Sequence, residues 1–349
     1  MEARQRDQSI DVARGVAIIA IVLGHVERGL ASADLLPYDA ALTIDRLLYL
    51  FHLATFAYLS GLFVGRSVER EGAQRLLRRR ITLFVWLYLL WTLIQGSVRV
   101  AASSLANTSV TAGDILSIWI PEGQLWFLTW LIAVTTVAVV VQPWRSRRQA
   151  VACVAGAAIL AAAVWGHDPL YVFTRGWALL LPFLIGCAIT QARHAAVAAK
   201  LSLMVITAVV GAAVWLWVGL ATGATTPTTG GAGRTVTTIS LGVVGCLAGT
   251  LACLSFAALL ARTAAAGVLG RVGRRSLEIF LAHIVVASGT RIVLAQLGVT
   301  DPFLHLAAGT VLGVVAPLLL AGMAERWGWT WLFGLPRRPI RKARTAHGV

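Results

Sequence analysis

The chain has 349 residues, of which 58% are hydrophobic and 13% are charged, and its mean hydropathy is +0.78. A soluble globular protein carries about 25% charged residues, so this composition excludes an ordinary soluble domain and indicates a polytopic membrane protein. In a soluble chain the net charge of +15 would indicate a nucleic-acid partner. Here the distribution of the charge between loops accounts for it, and we expect no nucleic-acid partner.

The first predicted membrane helix, residues 10–30, carries ionisable side chains inside an apolar segment. Asp11 and Arg14 lie at its start, and His25 follows Arg14 by eleven residues. At about 100° per residue, Arg14 and His25 lie within about 20° of each other, about 16 Å apart along the axis, with Asp11 on nearly the same side. Since a charge at a helix centre costs about 2.5–3.5 kcal/mol, this polar stripe predicts a functional site. The alternative is a pair of interfacial anchors with a snorkelling histidine.

Nine further segments are apolar and about long enough to cross a membrane. The sequence therefore predicts an all-α, integral-membrane helical bundle with about ten transmembrane helices. The later segments are residues 43–65, 81–100, 122–142, 150–166, 170–191, 201–221, 235–261, 276–297 and 302–325.

Basic residues alternate between the predicted connections. The two termini and every second connection hold 23 of the 30 Lys and Arg, whereas the connections between them contain none. The positive-inside rule then predicts that both termini are cytoplasmic, in a multi-pass protein of the inner (cytoplasmic) membrane. We predict a cytoplasmic N-terminus at 1–9, one transmembrane domain at 10–325 and a basic cytoplasmic tail at 326–349, near anionic lipid.

The predicted outer side has two notable features. The connection at 221–233 is rich in Thr, Gly and Pro, which predicts a flexible outer loop. Six arginines cluster at the outer helix ends, either as anchors or as a basic vestibule for anionic or hydroxyl-rich acceptors. These arginines are Arg28, Arg46, Arg99, Arg175, Arg234 and Arg291.

Polar residues in later helices are further candidates for a site. His52 is predicted about 10–14 Å below the outer surface, so it and His25 would share a cavity, unless His52 is only a helix–helix contact. Glu122 begins the fourth predicted span and is either a site residue or an anion favoured by the helix dipole. His283 and Arg291, eight residues apart, share a helix face.

Few catalytic motifs are compatible with this sequence. It contains no Walker, GxSxG, HExxH or GxGxxG motif and no metal-ligand spacing, so we expect no metal. The four cysteines lie in apolar segments and are expected to be packing residues. The Gly- and Arg-rich stretch 267–275 carries either topology charge or a site for the phosphates of an anionic cofactor. Histidine remains as a general base that would deprotonate an acceptor hydroxyl or amine.

Taken together and in chain order, five stretches resemble the membrane acyltransferase-3 family. Ala54 departs from the Met-Pro that often follows the second-helix histidine in this family, and we expect a locally straight helix there. The matching stretches are Asp11–Gly15 with His25 (an Arg-x10-His motif), Phe51–Gly61, Leu125–Leu128, Pro182–Gly186 and Ser276–His283.

The resemblance implies a stand-alone membrane O-acetyltransferase. Its donor would be an acyl-CoA, usually acetyl-CoA, which arrives from the cytoplasm as a co-substrate, with no cofactor bound permanently. The acceptor would be a hydroxyl of a carbohydrate or other compound at the outer side. By the match, His25 is the catalytic base, Arg14 holds the donor and Asp11 orients or pairs with Arg14.

Four other residues are candidates for the substrate or donor site: His52, Glu122, His283 and Arg291. Two other functions remain open from the residues alone. In a transporter or flippase for a lipid-linked sugar or small solute, the polar stripe would be a transport path. In a structural membrane partner it would have no chemical role.

Overall fold

The computed structural model describes residues 7–103, 112–229 and 233–336, and these ranges contain helices but no β-strand. Ten helical segments in this part of the chain are long and apolar enough to cross a membrane, which confirms the predicted all-α membrane bundle. The helices are α1 (Gln8–Ala31), α2 (Tyr38–Tyr49), α3 (His52–Gly61), α4 (Val64–Glu71), α5 (Ala73–Ala101), α6 (Ala112–Ile115), α7 (Trp126–Val141), α8 (Arg147–Val164), α9 (Leu180–Ala198), α10 (Leu201–Ala221), α11 (Val236–Leu260), α12 (Ala266–Arg274), α13 (Ser276–Gln296) and α14 (Pro302–Arg326).

The ten crossings follow the predicted spans in order, but the bounds of three of them differ clearly. The second covers Tyr38–Glu71 and not 43–65, and the third covers Ala73–Ala101 and not 81–100. The sixth crossing covers Trp177–Ala198 and not 170–191. The residues before it form turns that end at Gly176, whose φ of +81° is left-handed. A side chain there would also collide with Trp126, so glycine fits this position for two reasons.

The helix α1 lies at the centre of the bundle. It packs against α2, α3, α11, α12, α13 and α14. In the apolar 18-residue stretch of α1, 72% of the residues are buried. The corresponding values are 11% in α8 and 22% in α10, which lie at the periphery. The polar stripe on α1 is therefore enclosed by protein, as intramembrane ionisable groups usually are.

The second crossing is broken immediately before His52. It runs from Tyr38 to Glu71, but Phe51 has φ −138° and ψ −39°, which ends α2 and starts α3. Ala54 itself lies inside the uninterrupted helix α3, and the break lies three residues before it. The break does not require proline, because the backbone itself leaves the helical region at Phe51.

The two ends of the bundle differ in charge. We call the end at which α1 begins the basic end, because Arg-rich segments such as 142–148, with three arginines, lie there. The opposite end is called the neutral end. Which end faces the cytoplasm stays a prediction. Arg4 and Arg6 at the N-terminus and the basic tail from Arg337 to Val349 lie outside the described residues.

The described part of the connection expected to be a flexible outer loop contains a buried run of five residues. Residues 224–228, inside the described part 222–229, are all buried. The indole of Trp165 donates to the carbonyl of Thr225 at 2.7 Å, and the amide of Gly166 donates to the carbonyl of Pro227 at 3.3 Å. These bonds fold the segment into the neutral end of the bundle.

Candidate functional site

The site lies in a cavity of about 230 Å³ towards the neutral end, beside the last turns of α1. It is lined by basic, aromatic and hydrogen-bonding side chains from four crossings and two connections. The lining residues are Ile21, His25, Arg28, Tyr49, His52, Leu53, Gly123, Gln124, Trp126, Phe127, Arg175, Thr228 and Phe280.

The imidazole of His25 is half-buried and, like Arg28 one turn later, lines this cavity from α1. Its ring centroid lies 5.1 Å from that of His283 on α13. The ring nitrogens of His25 have no hydrogen-bond partner among the described residues. A nitrogen of this kind is available to accept a proton from a molecule that enters the cavity.

The break before α3 sets the position of His52. The Nδ1 atom of His52 lies 2.6 Å from the carbonyl oxygen of Leu48, one turn earlier. Because a carbonyl only accepts, Nδ1 carries the proton and the other nitrogen, Nε2, has a lone pair in the neutral ring. His52 is 1% exposed and lines the same cavity as His25, as predicted.

His283 forms the third member of the imidazole cluster. Its Nδ1 atom donates to the carbonyl of Ile279 at 2.9 Å, and its buried Nε2 atom has no hydrogen-bond partner in the described structure. Two glutamine amides fix the helix that carries it. Gln124 donates to the carbonyl of Phe280 and Gln95 to that of Leu281, both at 2.9 Å.

The arginines of the cavity are neutralised by carboxylates. Arg28 donates to Asp45 at 2.6 Å and lies 3.8 Å from the centroid of Tyr49. Arg175 is paired with Asp168 and lies 5.3 Å from the centroid of Trp126. The cavity wall therefore combines fixed ion pairs with aromatic faces and has no strong net charge.

Outside the cavity wall, three other arginines of the predicted vestibule also have partners. Arg99 pairs with Glu122. Arg46 donates to the carbonyl of Thr222 at 2.7 Å, and Arg234 donates to that of Trp165 at 2.7 Å. These contacts favour anchoring roles over a shared basic vestibule.

Asp11 and Arg14 lie at the opposite end of α1 from the cavity. Asp11 is buried, and its carboxylate lies 3.6 Å from Nη1 of Arg274 on α12. The guanidinium of Arg14 lies 5.0 Å from the centroid of Phe63. The structure thus separates this pair from His25 along α1, as the spacing predicted, and their role stays a prediction.

The structure places two predicted site residues away from the cavity wall. Glu122 forms an ion pair with Arg99, and Arg291 packs beside Gly29 in the last turn of α1. Neither lines the cavity, although Gly123 and Gln124 directly after Glu122 do.

The Gly- and Arg-rich stretch 267–275 forms α12, and its residues are engaged in packing and ion pairs. Gly273 is in backbone contact with Asp11. Arg275 donates to Glu325 at 2.6 Å and to Glu278 at 3.1 Å, and these carboxylates raise the pKa of Arg275. The contacts favour helix packing and topology charge over a phosphate site.

A larger cavity of about 670 Å³ opens at the basic end. Its wall includes Leu62, Arg66 and Gln191, and Arg66 donates to the Gln191 side chain at 3.1 Å. Phe63, over which Arg14 lies, directly follows Leu62 in the chain. Asp7, the residue that caps α1, lines this cavity, whereas Asp11 and Arg14 are not among its lining residues.

Sequence reasoning missed Gln124, Thr228 and Tyr49 as members of the cavity. The first two are neutral hydrogen-bonding residues, so charge patterning does not find them, and Thr228 lies in a segment whose composition resembles a flexible loop. Among the described residues, no three His, Cys, Asp or Glu side chains are grouped so as to hold a metal ion.

Comparison with known proteins gives one match. The model of the acyltransferase-3 family, described as an acyltransferase domain, matches residues 7–322. Curated proteins and solved structures gave no match. The family match covers nearly the whole chain, including α1 to α13 and most of α14.

Proposed function

Because the chain belongs to the acyltransferase-3 family and is a membrane acyltransferase, we propose that it transfers an acetyl group from acetyl-CoA to a hydroxyl group of a carbohydrate or related acceptor. The observation that carries the proposal is the position of His25. Its imidazole faces a cavity that His52 also lines, beside the ring of His283, on the central helix of the bundle.

His25 acts as the general base in this proposal. It takes the proton of the acceptor hydroxyl as the oxygen bonds to the thioester carbonyl carbon of the donor. The carbon–sulfur bond then breaks, and the departing sulfur receives the proton from His25 to give free CoA. The unpartnered Nε2 atom of His283 supports this role, because it can accept a hydrogen bond from an N–H of the His25 ring.

The donor approaches from the basic end in this proposal. The larger cavity there and the guanidinium of Arg14 beside Phe63 support it, since a guanidinium binds phosphates well. Asp7 and Glu69 also line that cavity, so Arg14 and the basic connections would provide the attraction for CoA. With the predicted topology, this end is cytoplasmic and the acceptor enters from outside.

The proposal is tested with purified protein in proteoliposomes, radiolabelled acetyl-CoA and a panel of hydroxylated acceptors. We expect His25→Gln to lower the rate of acetyl transfer about 10²–10⁴-fold, the usual contribution of a general base. His305→Gln is the control, because His305 also lies in a membrane-crossing helix but is 1% exposed and bonds to the carbonyl of Val299 outside the cavity.

Wild-type transfer rates in His25→Gln would contradict the mechanism. Movement of a solute across the membrane without consumption of acetyl-CoA would instead favour the transporter alternative.

A further inference from the structure

Two residues that line the His25 cavity each carry a buried polar atom without a hydrogen-bond partner in the described part of the chain. These atoms are Oε1 of Gln124 and Oγ1 of Thr228, whose residues are 3% and 1% exposed. Leaving such a group unsatisfied costs about 1–3 kcal/mol. Native structures usually satisfy it with water or a ligand, and both residues line the cavity that a ligand would enter.

The orientation of the Gln124 amide is determined by its surroundings. Its NH₂ group faces the carbonyl oxygens of Phe280 at 2.9 Å and Leu281 at 3.5 Å, which only accept hydrogen bonds. The Oε1 atom therefore points the other way and can only accept. A ligand that satisfies it must donate an O–H or an N–H.

The Thr228 hydroxyl comes from the buried part of the connection 222–229. Two hydrogen bonds hold this segment in place. The indole of Trp165 donates to the carbonyl of Thr225, and the amide of Gly166 donates to the carbonyl of Pro227. The hydroxyl of Thr228 is thus presented by ordered backbone and can either donate or accept.

The charges around the cavity argue against an anionic ligand. Both of its arginines are paired, Arg28 with Asp45 and Arg175 with Asp168. A carboxylate or phosphate would have to compete with these pairs and would also face Oε1 of Gln124, which repels an acceptor. The cavity of about 230 Å³ has the volume of about eight water molecules, which suits one small ring of a substrate.

Resting on the function proposed above, we propose that Gln124 and Thr228 determine acceptor specificity. They bind hydroxyl groups of the acceptor other than the one that reacts at His25, and they select an uncharged polyhydroxylated ring over its carboxylated counterpart. Trp126, in the same wall, provides an apolar surface for the face of that ring.

The amide N–H groups in the pantetheine arm of CoA could also donate hydrogen bonds to these two atoms. The experiment must therefore distinguish binding of acetyl-CoA from binding of the acceptor. Binding is measured by calorimetry on the full-length His25→Gln protein, which avoids turnover. The probes are methyl glycosides of glucose, galactose, mannose and N-acetylglucosamine, each at the same concentration as the methyl glycosides of glucuronate and galacturonate.

We expect at least one neutral glycoside to bind at least tenfold more tightly than both uronates. Gln124→Leu and Thr228→Val, each added to His25→Gln, should weaken that binding tenfold or more and leave acetyl-CoA binding within about twofold. The matched controls are Gln95→Leu, which loses the same type of amide-to-carbonyl bond on α13, and Thr310→Val, which loses an equally unpartnered hydroxyl outside the cavity.

Three results would overturn the proposal. One is tighter binding of the uronates, or no binding of any neutral glycoside. Another is weaker binding of acetyl-CoA in Gln124→Leu, which would assign these atoms to the donor. The third is equal loss in the control variants. Because these are binding measurements, they stand even if the wild-type protein shows no acetyl transfer, which is the result that refutes the proposed function.

Discussion

The contact between α12 and α1 allows a quantitative prediction about the Asp11 end of the polar stripe. Gly273 lies against the backbone of α1: a Cβ atom added to it would lie 2.8 Å from the backbone nitrogen of Gly15, and closer still to the carbonyl oxygen of Asp11. Ordinary van der Waals contact begins at 3.4 Å. Gly273→Ala must therefore push the two helices apart by at least about 0.6 Å, because backbone atoms cannot rotate away as side chains can.

The expected cost follows from two opposing effects. Overpacking of a tight contact costs about 1–3 kcal/mol, and the better helix propensity of alanine returns up to about 1 kcal/mol. We expect a net destabilisation of about 1–2 kcal/mol. The separation also moves Arg274 away from Asp11, now 3.6 Å apart, so the affinity for acetyl-CoA should fall if Asp11 and Arg14 hold the donor.

The measurement is the thermal unfolding midpoint in detergent together with the KM for acetyl-CoA. Gly267→Ala is the matched control, since it lies in the same helix and an added Cβ would meet nothing within 4 Å. We expect Gly267→Ala to be neutral or slightly stabilising. Equal midpoints and equal KM values for the two variants would refute the packing of α12 on α1 as the support of Asp11.

Two further substitutions separate the roles of the polar residues. Arg14→Gln should raise the KM for acetyl-CoA about tenfold and leave kcat within about twofold, because it removes binding shared by the ground state and the transition state. The control is Arg70→Gln at an exposed position. If the KM of Arg14→Gln does not exceed that of Arg70→Gln, Arg14 does not bind the donor. His52→Gln should lower the transfer rate tenfold or more, with a nearly unchanged thermal unfolding midpoint. A lower midpoint without a lower rate would show that His52 only stabilises the fold, through its bond to the Leu48 carbonyl.

The spans were predictable because each needs about 20 apolar residues, whatever its neighbours. The separation of Arg14 and His25 was also predictable, since both lie on one unbroken helix whose geometry is fixed. By contrast, the 5.1 Å approach of His25 to His283 depends on how α1 and α13 are rotated about their axes. No local pattern in either helix encodes that rotation.

Two features of the neutral end could not be predicted from local sequence. The break at Phe51 involves neither proline nor glycine, the usual sequence signals of an interrupted helix. The segment 222–229 has the composition of a flexible loop, and its burial depends on the indole of Trp165, sixty residues away from the Thr225 carbonyl that it binds. The charge of Glu122 made it a candidate from sequence, whereas the neutral Gln124 is the residue that lines the cavity.

In the proposed reaction, the packing of α1 would keep Arg14 and His25 at a constant separation. Glycines on neighbouring helices let it pack closely along its length: Gly273 meets its backbone near Asp11, while Gly313 and Gly309 on α14 lie against Val22 and Val26. Such small-residue contacts hold membrane helices together in the absence of a hydrophobic driving force between them. With α1 held at both ends, the axial distance of about 16 Å from Arg14 to His25 is fixed by the helix itself. An acyl donor anchored at Arg14 would then bring its thioester to a constant depth in the bundle. Substitutions that alter the packing of α1 should change that depth, whereas substitutions in the loops should not.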